Sequence, residues 1–170
     1  MSKLVLTVVG DDRAGLVQAL ADLIAAHGGN WERSELAELA GSFAGIVLVS
    51  VPDDSVAALT DALRGLDGML HITPHAGAEE AAAPAGEQLT FTVLGNDRPG
   101  IVREVTSALA RHGLSIDRFT SETRDAPMSG GVLFEATVVA HVGGASGDIA
   151  AAKTDLERLA GEIQVDLTVG

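Results

Sequence analysis

The chain has 170 residues, a formal net charge of −13, no cysteine, and an apolar content of 46% that includes only 3% aromatics. Such a chain can bury a core, but the core must be aliphatic, and the missing thiols exclude disulfides, thiolate metal sites and cysteine nucleophiles. Its 11 Lys and Arg are scattered through an acidic sequence, so there is no basic stripe to neutralise phosphates and no aromatic platform to stack bases, which argues against direct nucleic-acid binding.

In chain order, Leu4 to Val9 is a continuous apolar run closed by Gly10, which predicts a buried strand. The segment is short and lacks a signal-peptide layout with a small-residue cleavage site. Asp12 is a good N-cap, with Gly15 in the first turn. Leu16, Val17, Leu20, Leu23, Ile24 and His27 then follow helical spacing, and Gly28-Gly29 can end a helix over residues 13–27. His27 sits in the last turn, where its ring can bond a terminal carbonyl. Asn30 to Leu39 and Ser42 to Val51 read as two strands around a turn at Ala40-Gly41. The longest uncharged run, Leu39 to Pro52, is too short to span a bilayer; no membrane association and a cytoplasmic location are the expectation. Pro52-Asp53-Asp54-Ser55 opens a second helix ending near Leu66-Asp67-Gly68, and Met69 to Pro74 forms a last strand.

The pattern then repeats. Leu4 to Arg33 aligns without a gap on Leu89 to Arg118, pairing Gly10/Gly95, Asp12/Asp97, Arg13/Arg98, Gly15/Gly100, His27/His112 and Gly28/Gly113. Phe43 to Val51 matches Phe134 to Val142, and Val56, Leu59, Leu63 and Leu66 match Ile149, Ala152, Leu156 and Leu159. The growing offset places insertions near Arg124 to Gly131 and Gly143 to Gly147, loop positions that tolerate them. Residues 1–76 are a first module, 77–86 a linker within an Ala-, Glu-, Gly- and Pro-rich stretch, and 87–170 a second module. The order βαββαβ, twice, predicts an α+β protein of two ferredoxin-like modules in tandem, each with four antiparallel strands beneath two helices. The other face of each sheet needs water or a partner, and the Val and Leu content of the strands favours partial cover.

The strongest chemical signal is Gly10-Asp11-Asp12-Arg13-Ala14-Gly15-Leu16 and its twin Gly95-Asn96-Asp97-Arg98-Pro99-Gly100-Ile101. Each joins a strand to a helix N-terminus, where free N–H groups and the helix dipole suit a carboxylate. Asp11, Asp12, Asn96 and Asp97 offer acceptors for an ammonium group, and Gly15 and Gly100 allow close approach. Read as residues alone, the same loops equally make a capped helix with a tight turn. Trp31, at the start of a strand, reads as a pocket cover or as an apolar anchor between modules. His71, His75 and His141 have no metal-ligand spacing, the serines lack a nucleophile-elbow pattern, and the Gly-rich loops lack the lysine of a P-loop. No cofactor and no enzyme activity are expected.

The second loop with Val102, the stretch Gly29-Asn30-Trp31-Glu32-Arg33-Ser34, and Ala126-Pro127-Met128-Ser129-Gly130-Gly131 carry a family resemblance. The module resembles the ACT domain, a regulatory amino-acid-binding fold, and the tandem resembles the glycine cleavage system transcriptional repressor family. The resemblance implies a homodimer paired through helices and sheet edges. It implies a ligand site at the strand–helix loops, involving Asp12, Arg13 and Gly15 with Asn96, Asp97 and Gly100; together with their loop neighbours Asp11, Ala14, Leu16, Arg98, Pro99 and Ile101 these are the candidate ligand-binding residues. It also implies an amino acid, with glycine one candidate, and a regulatory protein partner. One departure stands out: Ala14 occupies the position where the family usually has proline, which implies a looser first loop. The rival readings are a ligand-free interaction module and an uncharacterised enzyme.

Overall fold

The computed structural model describes residues 1–77, 88–126, 131–143, 147–159 and 163–169. The chain divides into two compact units, Met1–Ala81 and Ala82–Gly170. The linker expected at 77–86 lies, apart from Gly77, outside the described residues.

The first unit runs β1 (Ser2–Asp11), α1 (Leu16–Ala26), β2 (Asn30–Leu39), β3 (Ser42–Val51), α2 (Val56–Leu63) and β4 (His71–Ala76), with single 3-10 turns at Asp53–Ser55 and Arg64–Leu66 flanking α2. The second repeats it: β5 (Gln88–Asn96), α3 (Ile101–Arg111), β6 (Leu114–Asp125), β7 (Val132–Val142), α4 (Ile149–Leu159) and β8 (Ile163–Val169). Each unit has one antiparallel sheet, ordered β2-β3-β1-β4 and β6-β7-β5-β8. Both are the expected α+β, ferredoxin-like βαββαβ arrangement.

Alternation along β1 puts Leu4, Leu6 and Val8 in the core, where they meet Leu16, Leu20 and Ile24 of α1 and Leu59 and Leu63 of α2. The second core is built alike, from Leu89, Phe91 and Val93 with Ile101, Val105 and Leu109 of α3 and Ala152 and Leu156 of α4. Each buried Leu, Val or Phe contributes about 1.5–3 kcal/mol relative to exposure. The run Leu4 to Val9 is therefore buried on one face only: Val9, on the other face, remains 53% exposed. Trp31 is half-buried and packs against the core of its own unit.

Three sequence expectations are corrected. The first helix begins at Leu16 rather than near Arg13, and its counterpart in the second unit begins at Ile101; the helix N-caps are Gly15 and Gly100 rather than Asp12 and its twin. Both glycines have left-handed φ, 90° and 89°, a conformation that ends helical geometry on their N-terminal side. The last strand of the first unit is shifted to His71–Ala76, because the chain from Arg64 to Gly68 makes one more turn before entering the sheet.

The insertion between the middle strands is partly ladder and partly loop. In the first unit Leu39 pairs Ser42 across a two-residue turn in which Ala40 and Gly41 both have positive φ, 52° and 83°. In the second the ladder continues to Asp125 opposite Val132, and the Ala126 amide bonds Gly131 O at 2.8 Å. The expected loop residues 127–130 lie outside the described residues.

Candidate functional site

The two loops are built the same way. Asp11 and Asn96 end their strands, and the next amide is tied to the adjoining hairpin: Asp12 N–H donates to Gly41 O at 2.9 Å, and Asp97 N–H to Val132 O at 2.8 Å. Residues 13–15 and 98–100 then turn the chain. The first helical bonds run from Ala19 N–H to Gly15 O at 2.9 Å and from Glu104 N–H to Gly100 O at 3.0 Å. No side chain caps either helix. First-turn amides without a cap are the groups that an anion can satisfy.

Asp11, Asp12, Arg13, Ala14 and Gly15 are exposed, whereas Leu16 is a core residue. In the second loop Asn96, Asp97, Pro99 and Gly100 are exposed, Arg98 is half-buried, and Ile101 is in the core. Each set of six is thus contiguous within its own unit. Leu16 and Ile101 serve mainly to anchor the loop, each at the start of its helix.

Beside the first loop lies an open cleft of about 340 Å³, lined by Asp12, Arg13, Gly15, Leu16, Val17, Gln18 and Phe43. Its lining includes one basic and one acidic residue, Arg13 and Asp12, and three apolar ones, Leu16, Val17 and Phe43. Such a place suits a small zwitterion with a short apolar group. Sequence reasoning missed Val17, Gln18 and Phe43 as lining residues. Phe43 is brought in by the register that pairs it with Gly10, and pairing between distant strands leaves no mark in a local motif.

The charges differ between the loops. Arg13 Nη2 reaches Asp11 Oδ2 at 3.4 Å. Arg98 donates from Nη1 to Glu104 Oε1 at 2.9 Å and from Nη2 to Oε2 at 2.6 Å. The Arg98 hydrogen bonds hold the Glu104 carboxyl below the usual carboxylate range.

The histidines also diverge. His27 Nδ1 donates to Leu23 O at 2.8 Å, the expected helix-end bond, while its twin His112 donates from Nε2 to Asp155 Oδ2 at 2.8 Å and so links α3 to α4. That bond, ahead of the Arg111 and Arg158 charges, lowers the Asp155 pKa. His141 Nδ1 bonds Asp117 Oδ1 at 2.7 Å, and Ser115 lies opposite His141 in the ladder. Ser115 makes no hydrogen bond to that histidine, and among the described residues no group of His, Asp and Glu could hold a metal ion. No helix among them is long and apolar enough to cross a membrane.

Comparison with known proteins bears on the family and the fold. Models of the ACT domain match residues 2–76 and residues 90–160. A solved protein of unknown function from Galdieria sulphuraria is similar over 99% of this chain and 98% of its own, with 29% identity and a TM-score of 0.85. A candidate glycine cleavage system transcriptional repressor is similar in fold over 99% of this chain and 98% of its own, with 16% identity and a TM-score of 0.67. No curated protein matches the chain.

Proposed function

The chain belongs to the ACT-domain family, with two such domains in tandem, and from that premise we propose that it is a regulatory, non-enzymatic protein that binds an amino acid or similar small ligand at its strand–helix loops and acts through a protein partner. ACT domains are regulatory small-molecule-binding modules. The observation that carries the ligand reading is the cleft beside Arg13, which offers opposite charges and an apolar wall within one small volume. The likeness in fold to a candidate glycine cleavage regulator makes glycine the first amino acid to try. The net charge of −13 argues against direct action on DNA and so supports action through a protein partner. A homodimer is part of the same reading. It is supported by Val9, Leu39 and Ile46, which share the outer face of the first sheet and are 53%, 76% and 50% exposed.

The test is a thermal-shift series with each of the twenty amino acids. A ligand that binds only the native state adds about 2.7 kcal/mol of stability at a hundredfold excess over its Kd. At least one amino acid is expected to raise the midpoint. No shift with any of them would favour the ligand-free interaction module, and turnover of a substrate would favour the enzyme.

A further inference from the structure

The duplicated arginines make different contacts, and one residue in the helix that follows accounts for the difference. Glu104 stands one turn into α3, and its carboxylate meets the Arg98 guanidinium edge to edge through two bonds, at 2.9 and 2.6 Å. The side chains of this pair are 34% and 30% exposed. The repeat places Ala19 at the position of Glu104, so the first unit has no counterpart to this carboxylate. Arg13 makes a single longer contact, 3.4 Å, with Asp11, and those side chains are 58% and 83% exposed.

We propose that Glu104 is a built-in carboxylate that occupies Arg98 in place of a ligand, so that only the first loop accepts a carboxylate-bearing molecule and the Ala19/Glu104 difference decides which copy binds. The proposal rests on the reading that these loops are ligand sites.

The physical argument is one of competition. A guanidinium presents a fork of donors that matches one carboxylate at a time on a given edge. At Arg98 that edge is already filled by a group on the same chain, whose effective concentration is in the millimolar range or above. A free carboxylate that takes the same Nη1–Nη2 edge must displace it and leave Glu104 without these two bonds. At Arg13 the competing pair is long, single and mostly in water, the kind of surface contact that contributes little, so a ligand displaces it easily. The cleft lies on the same side of this asymmetry, with Arg13 on its wall and Leu16, Val17 and Phe43 completing it. The counterpart of Phe43, Phe134, is only 4% exposed. The chemistry implied is a small α-amino acid: carboxylate toward Arg13, ammonium toward Asp12, and a short aliphatic group against the apolar wall.

Two measurements on the full chain test this. In the first, phenylglyoxal labels exposed, unpaired guanidinium groups, and peptide mapping gives a rate for each arginine. Arg98 is expected to react about tenfold more slowly than Arg13, as a bidentate charge-assisted pair requires. Glu104→Gln and Glu104→Ala should each raise the Arg98 rate several-fold. Equal rates in the unsubstituted chain, or no change on substitution, would overturn the clamp. In the second, calorimetric titration with glycine, L-alanine and L-valine in turn is expected to show one site per chain. Ala19→Glu should abolish that site, and Glu104→Ala should raise the count to two. Two equal sites in the unsubstituted chain, or undiminished binding by Ala19→Glu, would overturn the assignment of the site to the first loop. Absence of binding in every variant would overturn the ligand site itself, while the labelling rates still decide whether Glu104 holds Arg98.

Discussion

At Gly15 and Gly100 the requirement for glycine is conformational. Their φ values of 90° and 89° are left-handed, and no atom lies within 4 Å of a Cβ on Gly15, while Glu104 Oε1 is 3.9 Å from one on Gly100. Alanine at Gly15 is therefore expected to cost about 1 kcal/mol from backbone strain alone. Gly45 is a different case. A Cβ there would sit 2.8 Å from Leu36 Cα and run into the carbonyl oxygen of Glu35 on the neighbouring strand. Ladder bonds hold β2 in place, so Gly45→Ala should cost about 3 kcal/mol, the upper range for overpacking. Urea denaturation of the two variants checks the order, and a Gly45→Ala cost no larger than that of Gly15→Ala would show that β2 gives way. The aligned residue of the second unit, Ala136, is 1% exposed, so the close approach belongs to the first sheet alone.

Between elements, the helix pairs are fastened differently. In the second unit the His112–Asp155 bond joins α3 to α4, with Arg111 Nη2 3.6 Å and Arg158 Nη1 3.4 Å from the same carboxylate. In the first, Ala62 stands at the place of Asp155 and His27 turns back to its own helix. Because the His112 bond lowers the Asp155 pKa in the folded state, this group adds stability above its unfolded pKa and loses it as pH falls through the folded value. Glu104, lowered by Arg98, acts in the same direction. Thermal midpoints measured from neutral pH into the acid range should fall less steeply for Asp155→Asn than for the unsubstituted chain. Parallel curves would mean that the link between the helices contributes nothing. The helix spacing of α4 could be read from the sequence, but this link could not, because the partners are 43 residues apart and only the packing of α3 against α4 brings them together.

For the molecule as a whole, the two cores share no residue. Leu63 and Leu156, both 1% exposed, occupy aligned positions in them. Leu63→Ala and Leu156→Ala should each cost about 2–5 kcal/mol through lost burial and a residual cavity. Their effects should add to within about 0.5 kcal/mol, as for sites without common partners. Calorimetric unfolding of the single and double variants gives the comparison, with Trp31, which packs on the first core, as a fluorescence reporter for that unit. A clear excess or deficit in the double variant would show that the cores are coupled. The sheets also differ on their outer faces. Ile46 is 50% exposed on the first, where the aligned residue of the second is Thr137. Val9 is exposed on the same face of the first sheet, which is why β1 reads as a continuous apolar run although only every other residue is in the core.

The sequence by itself determined the order of elements, the duplication, and the two strand–helix loops on which the proposed ligand site rests. These depend on local periodicity, on turn residues and on self-comparison, and all three lie along the chain. The helix starts were misread because Asp12 and Asp97 look like caps, while the decisive property, the left-handed backbone of Gly15 and Gly100, emerges once the loop is tied to the neighbouring hairpin. Tertiary structure alone decided which arginine is clamped, which histidine joins two helices, and which loop has Phe43 beside it. Each of those outcomes depends on how far apart two side chains end up in space, and that distance is set by register and packing rather than by any property of the residues taken singly.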